Sequence, residues 1–207
     1  MSSAVPTVYL VDDEPELRRA VERLLRAEGY AVVAFDAPAP FLEAATSDTR
    51  GCVLLDVAMP GLDGLAVQQR LLALGSRLPI VFLTGQGDIP MSVEAMRAGA
   101  VDFLTKPVNS RDLLRAIGAA LALAASRAAA HDALASLRAR EALLTPRERE
   151  VFAHVIAGKL NKVIAADLGT TEQTVKVHRG RVMEKLGADS VVDLVNAGRA
   201  LGIAPVP

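Results

Sequence analysis

CVLLDVAMPGLDG, Cys52 to Gly64, decides the fold. Its first five residues are a continuous apolar run of strand length without a helical period, and they end in a carboxylate, Asp56, before a turn rich in proline and glycine. A strand apolar at every position is buried on both faces, as in a parallel sheet covered by helices. Four other short runs have the same character: TVYLV (Thr7 to Val11), AVVAF (Ala31 to Phe35), PIVFLT (Pro79 to Thr84) and AVDFLT (Ala100 to Thr105). Helix-like stretches lie between them: Pro15 to Ala27 closed by Gly29, Phe41 to Ala45, Gly64 to Leu74 closed by Gly75, and Ile89 to Ala98 closed by Gly99. The alternation predicts right-handed β-α-β crossovers and an α/β doubly wound, five-stranded parallel sheet.

Ligands of such sheets bind outside the carboxyl ends of the strands. Asp12 and Asp13 follow the first strand, Asp56 ends the third, Thr84 ends the fourth and Lys106 follows the fifth. Singly, each has an ordinary explanation as a helix cap, a turn residue or a solvated loop lysine. Jointly they bring three carboxylates, a hydroxyl and an ammonium to one edge. Crowded carboxylates repel unless they share a cation, and a hard, oxygen-only donor set suits Mg2+. Beside such a metal an aspartate oxygen can attack a phosphoryl group in line, with Lys106 and Thr84 stabilising the phosphoryl oxygens.

About the first 120 residues resemble the receiver domain of two-component response regulators. The likeness is carried by VDDE (Val11 to Glu14), LLDVAMPGLDG (Leu54 to Gly64), FLTGQGD (Phe82 to Asp88) and DFLTKP (Asp102 to Pro107). It implies a flavodoxin- or CheY-like fold and Asp56 as the phosphoacceptor for a sensor histidine kinase. It makes Asp13 and Asp56 side-chain ligands of Mg2+, Ala58 a ligand through its backbone carbonyl, and Asp12 an outer-sphere partner. Thr84 and Lys106 become the pair that senses the phosphoryl group, Phe103 the switch aromatic, and Lys106-Pro107 a cis peptide. Core packing alone would also account for Phe103. The chain departs from common receivers at Ala58, often polar, and at Val108, often Phe; Ala58 bears on the lifetime of the phosphate.

Composition suits a soluble, cytoplasmic protein of more than one domain. The 207 residues, 51% hydrophobic with net charge −1, suffice for two small cores. The single cysteine, Cys52, lies in an expected strand, so a disulfide framework is excluded. No signal-peptide pattern is visible, and the apolar run Ala116 to Ser126 is too short to span a bilayer. Residues 1–120 carry net charge −4 and residues 121–207 carry +3. The basic surplus lies at the back. Between the halves, Ser110 to Leu143 is rich in Ala, Leu and Arg and predicts one long helix or two joined ones. Leu114, Ile117 and Leu121 suit packing on the sheet; the part through Leu134 and Leu137 is either a bridging or dimerising helix or an exposed alanine-rich linker. The expected domains are 1–122, a helical linker 123–142, and 143–207.

Thr145-Pro146-Arg147-Glu148 is a capping box with proline at the first helical position, and Val151, Val155 and Ile156 continue one face until Gly158. A short helix from Lys162 to Leu168, a third capped by Thr170 or Thr171 and reaching Leu186, and a fourth from Ser190 to Leu201 complete an all-α, four-helix unit with a helix-turn-helix. Its expected core is Ile164, Leu168, Val175, Val182 and Leu186. Opposite that core on the third helix stand Gln173, Lys176, Val177, Gly180 and Glu184, the face that would enter a DNA major groove. There Lys176 suits guanine, Gln173 adenine and Val177 a thymine methyl, with Thr174 near the helix start. His178, Arg181 and Lys185 lie toward flanks that would meet phosphates, and Arg179 sits nearer the packed side.

The stretch LTPREREVFAHVIAGKLNKVIAADLGTTEQTVKVHRGRVMEKLGA resembles the LuxR-type DNA-binding domain of NarL/FixJ-type response regulators, and GDIPM and TVKVHRGRVMEKLGA lean toward the FixJ subgroup. The likeness matches Lys176 and Val177 to base-contacting positions, whereas Gly180 stands where some relatives carry lysine. It gives the fourth helix, with Val191, Val192, Leu194 and Val195, dimer contacts. The expectation is a regulator that is phosphorylated on Asp56, dimerises, binds double-stranded promoter DNA and works with RNA polymerase. It is not an enzyme beyond taking phosphate from a donor and slowly losing it, and it has no membrane partner. Two rivals are a phosphorylation-independent DNA-binding or scaffolding protein and an Asp-nucleophile phosphatase or dehalogenase. The second resembles Asp-x-Asp after the strand, where this chain has Asp56-Val57-Ala58.

Overall fold

In the computed structural model, residues 5–85 and 89–206 are described, with the backbone alone for 89–91. Gln86, Gly87 and Asp88, within the FLTGQGD and GDIPM strings, lie outside the described residues. The chain forms two compact units, Met1–Ala128 and Ala129–Pro207.

The first unit alternates β1 (Thr7–Val11), α1 (Pro15–Ala27), β2 (Ala31–Phe35), α2 (Pro38–Ala44), β3 (Cys52–Asp56), α3 (Gly64–Ala73), β4 (Ile80–Thr84), α4 (Ile89–Arg97) and β5 (Asp102–Thr105), and α5 (Ser110–Ala142) begins in it. The strands pair in parallel in the order β2-β1-β3-β4-β5. Every residue of β3 and β4 is buried, as their unbroken apolar sequences require. Side chains alternate between the two faces. Val8, Leu10, Cys52, Leu54, Val81 and Leu83 meet Val21 and Leu25 of α1 and Leu113, Ile117 and Ala120 of α5. Val53, Leu55, Ile80 and Phe82 meet Phe41, Val67, Leu71 and Ala95 from α2, α3 and α4. Each fully buried aliphatic side chain contributes about 2 kcal/mol relative to exposure.

Two element starts differ from the sequence reading by more than one residue. Helix α2 starts at Pro38, not Phe41, because proline has the dihedral of a first helical turn and its missing N–H costs nothing there. Strand β5 starts at Asp102, not Ala100, because the Ala100 N–H still donates to the Ala95 carbonyl (3.1 Å) and closes the end of α4. Where the chain enters β3, Gly51 has φ +128°, and a Cβ there would lie 2.2 Å from the Thr7 carbonyl oxygen, so only glycine fits.

Among the described residues α5 alone is long and apolar enough to cross a membrane by length and composition. Its first turns bury Leu113, Ala116, Ile117 and Ala120 against the sheet, and its later apolar content is largely alanine.

The second unit contains the end of α5, then α6 (Pro146–Ile156), α7 (Asn161–Asp167), α8 (Glu172–Leu186) and α9 (Val191–Leu201). The Thr145–Glu148 capping box is formed on both sides, Thr171 caps α8 through the Thr174 N–H, and Ser190 with Asp193 boxes the start of α9. Val151, Phe152, Val155, Ile164, Val175, Val182, Leu186 and Leu194 form the core, and Leu168 and Leu137 pack at its edge. On α9, Leu194 is fully buried while Val192 is 66% exposed, so that helix serves the core on one side and leaves an apolar face on the other.

Candidate phosphoacceptor pocket and DNA-binding surface

Sheet register assembles the pocket. Val11 is paired with Leu55, which brings Asp12 level with Asp56; Thr84 is paired with Thr105, which brings Lys106 just beyond it. The strand order changes direction between β1 and β3, the position at which this architecture leaves an open crevice. Carboxylate oxygens of Asp12, Asp13 and Asp56 all lie within 4.8 Å of one another. Asp12 and Asp56 are buried and Asp13 is half-buried.

Lys106 is the hub. Its Nζ lies 2.9 Å from Asp12 Oδ2, 2.9 Å from Asp56 Oδ2 and 2.8 Å from Glu14 Oε1. Burial lowers the proton affinity of its ammonium, but hydrogen bonds to Glu14, Asp56 and Asp12 outweigh that and hold it above the usual lysine range. Burial also raises the Asp12 carboxyl, against the opposing pull of Lys106 and of the Glu14 N–H, which donates to Asp12 Oδ1 at 2.8 Å. Asp56 Oδ1 accepts from the Ala58 N–H at 3.3 Å, so both oxygens of Asp56 are engaged and the carboxylate is oriented. Arg18 Nη1 donates to the Asp12 carbonyl at 2.7 Å and fixes the loop after β1.

Thr84 is buried, and its carbonyl accepts from the Lys106 N–H, so the threonine and the lysine loop share one ladder rung. The Lys106-Pro107 peptide is cis. Phe103 is half-buried with its ring centroid 6.1 Å from that of Phe82, a packing contact at the sheet surface. The pocket thus collects Asp12, Asp13, Asp56 and Lys106, with Thr84 at the adjoining strand end. Glu14, absent from the expected site residues, is a further member. Its adjacency to Asp12 and Asp13 was the available signal.

The second surface lies on α8. Gln173, Lys176, Val177, Gly180, Arg181 and Glu184 are exposed, and Thr174, His178, Arg179 and Lys185 are half-buried. Arg179 Nη1 donates to Asn161 Oδ1 of α7 at 3.2 Å, binding the two helices of the motif together. Thr174 shares a hydroxyl contact of 2.9 Å with Thr171 at the helix cap. Lys185, expected on a phosphate-facing flank, instead donates to Glu148 Oε2 at 2.7 Å and to the Leu143 carbonyl at 3.1 Å. The buried Glu148 carboxylate claims it; the contact comes from another helix, which a helical wheel cannot register.

Residues 8–118 match the response regulator receiver domain family, and residues 142–197 match the bacterial regulatory proteins of the luxR family. Nodulation protein W of Bradyrhizobium diazoefficiens is 42% identical over 98% of this chain and 89% of its own length. The transcriptional regulatory protein FixJ of Azorhizobium caulinodans is 38% identical over 99% and 97%. The solved structure of the response regulator StyR superposes with a TM-score of 0.83 at 43% identity, covering 95% of this chain and 99% of that one.

The chain belongs to the response regulators that carry a LuxR-type DNA-binding domain. A response regulator so built is a two-component regulator of transcription, with a sensor kinase and DNA as its implied partners. It is not a classical enzyme, and the phosphatase or dehalogenase alternative falls with that assignment.

Proposed function

We propose that a sensor histidine kinase phosphorylates this regulator on Asp56, and that the phosphorylated form dimerises and binds promoter DNA with higher affinity than the resting form. The observation that carries the reading is the engagement of one lysine, Lys106, with both Asp12 and Asp56 at 2.9 Å inside a cluster of three carboxylates. This is the charge arrangement a phosphoryl group would enter.

The donor set fits Mg2+: hard oxygens of Asp13 and Asp56, with the Ala58 carbonyl as a third protein ligand and Asp12 in the outer sphere. Bound there, the ion would neutralise charge on the phosphoryl oxygens. Asp56 supplies the attacking oxygen, held by the Ala58 N–H and Lys106. Its bond to phosphorus forms as the phosphorus–nitrogen bond of the kinase phosphohistidine breaks, and the electron pair stays on the imidazole nitrogen. A small phosphodonor would serve in the same way, and slow hydrolysis would return the carboxylate. Lys106, kept protonated by its carboxylate neighbours, pairs with one phosphoryl oxygen, and the Thr84 hydroxyl donates to another. Movement of Thr84 draws Phe103 inward, and the favoured population shifts toward the dimer.

On DNA, Lys176, Gln173 and Val177 would meet base edges and Thr174, His178 and Arg181 the backbone, while Arg179 supports the motif through Asn161. A two-fold dimer would set two α8 helices on one face of the duplex. The protein would act in the cytoplasm, with RNA polymerase as a further partner. The receiver would extend to about residue 122 and the DNA-binding domain would begin at about residue 143, with the α5 residues between them a helical linker whose end packs on the second core.

The test measures affinity for duplex DNA selected by the protein itself from a random pool, with and without beryllofluoride and Mg2+, for wild type and Asp56→Asn. The expected result is at least tenfold tighter binding with beryllofluoride for wild type alone. Equal affinity in all four conditions would favour a DNA-binding protein indifferent to phosphate.

A further inference from the structure

The last turns of α5 are structurally part of the DNA-binding unit. Leu137 packs on its core, Glu141 Oε1 accepts from Arg149 Nε at 2.9 Å, and the Ala142 carbonyl accepts from Arg149 Nη2 at 3.3 Å. One contact reaches the far end of α8: Arg140 Nη1 donates to the Leu186 carbonyl at 3.2 Å.

That carbonyl is one of the last four of the helix, which have no partner within it. The N–H groups of Gly187 and Ala188 turn back to Glu184 O and Met183 O, closing the left-handed cap, and the Leu186 oxygen receives the Arg140 guanidinium. The guanidinium lies so close over the cap that a Cβ at Gly187 would be 2.6 Å from Arg140 Nη1. A cation at this end also complements the negative end of the helix dipole. Lys185, one residue earlier, is tied to the Leu143 carbonyl just beyond α5 and to Glu148 of α6. The carboxyl end of α8 is therefore anchored on both sides, by Arg140 and by Lys185, to the end of α5 and the start of α6.

We propose that Arg140, outside the helix-turn-helix and distant in sequence from its base-reading face, is a positioning residue for DNA recognition: by clamping the Leu186 end of α8 it sets the angle at which Lys176 and Val177 are presented. The inference rests on the reading of α8 as the recognition helix. Ten residues separate Lys176 from Leu186, a lever of about 15 Å at 1.5 Å per residue, so a tilt of about 5° at the clamp displaces Lys176 by about 1 Å. Directional hydrogen bonds to base edges tolerate about half of that. Contacts to phosphate are less directional and survive it. Loss of Arg140 thus costs specificity more than general affinity.

The experiment uses the full-length chain and two duplexes, one selected by wild type from a random pool and one scrambled, titrated over a range of salt. For Arg140→Met, which keeps the aliphatic stem and removes the donors, selected-site affinity falls about tenfold, the factor equivalent to one charge-assisted hydrogen bond, while scrambled-site affinity and the slope of log affinity against log salt stay at wild-type values. Arg140→Lys, which restores one donor, recovers part of the loss. Melting temperatures measured alongside give the folded fraction by which each affinity is corrected. A drop in salt slope of about one for Arg140→Met would mean that Arg140 touches phosphate itself, and it would overturn the positioning role. An unchanged ratio of selected to scrambled affinity would also overturn it, and leave the reading of α8 intact. Failure of wild type to select any duplex would remove both.

Discussion

Lys106 reaches from the loop after β5 to the end of β3, its Nζ 2.9 Å from Asp56 Oδ2, and the same nitrogen is 2.9 Å from Asp12. One internal cation therefore neutralises part of the charge that a bound divalent ion would neutralise. Replacing it with an uncharged side chain of similar length leaves the carboxylates repelling each other, and a metal becomes the remedy. Lys106→Met should bind Mg2+ about tenfold more tightly by calorimetric titration, the effect of removing some 1.4 kcal/mol of cation–cation repulsion, yet lose the response of DNA binding to beryllofluoride. Weaker Mg2+ binding in that variant would show that the lysine holds the carboxylates in place for the ion and does not compete with it.

Gly64, at the start of α3, sits against the strand that presents Asp56. A Cβ there would be 2.7 Å from the Asp56 carbonyl oxygen and 3.0 Å from both Phe82 Cε1 and Val57 Cα. Two of these neighbours are backbone and cannot swing away, so the helix or the acceptor strand must shift. Gly64→Ala should destabilise the receiver by about 2 kcal/mol, a fall of about 5–10 °C in its melting temperature, and slow phosphoryl incorporation from acetyl phosphate. A variant with unchanged stability and labelling would mean that α3 is free to move outward at no cost.

Much of this arrangement was visible in sequence because the buried strands leave little ambiguity: CVLLD and PIVFLT have no polar face, and their carboxyl-terminal Asp56 and Thr84 can project only at the sheet edge. The same logic located Asp12 and Lys106. It missed Glu14 as a third partner of Lys106, since a loop residue three positions past the strand has no periodicity to fix its direction. It placed the start of α2 at Phe41, three residues late, although a first helical turn accepts the proline found at Pro38. Helical phase identified the exposed face of α8 from Gln173 to Glu184. It could not identify Glu148 or Arg140 as partners of the helix end, because those contacts depend on how α6 and α5 pack, which no single-helix pattern contains.

Cys52 is wholly buried in β3, and burial pushes its thiol up to about 12. Only the thiolate reacts with alkylating agents, so the native protein at pH 8 should resist iodoacetamide and become labelled at the rate at which the receiver unfolds. Labelling followed by mass spectrometry across a guanidinium series should therefore trace the receiver's transition alone, since the chain has no other cysteine. Rapid labelling in buffer would require β3 to open locally without global unfolding.

Glu148 joins the capping box of α6 to the end of α8, and its charge makes the stability of the DNA-binding unit depend on pH. The Lys185 ammonium, followed by the Thr145 N–H, holds the Glu148 carboxyl at about 2, below its ordinary value of 4.5. A carboxyl depressed on folding stabilises fully above its unfolded value, and that contribution is lost as pH falls through 4.5 toward 2. Glu148→Gln keeps the capping-box hydrogen bond and removes the charge, so it isolates the ion pair. Its melting temperature should lie below that of wild type above pH 5, by an amount equivalent to about 2 kcal/mol, and the two curves should converge by about pH 2. Because Lys185 is committed to this pair, Lys185→Met should show the same stability loss while leaving the salt slope of DNA binding unchanged, whereas loss of a phosphate-contacting cation lowers that slope by about one. A lowered slope in Lys185→Met would mean that the lysine leaves Glu148 for the DNA backbone on binding, and Glu148→Gln should then bind DNA more tightly than wild type, having released its competitor for the ammonium.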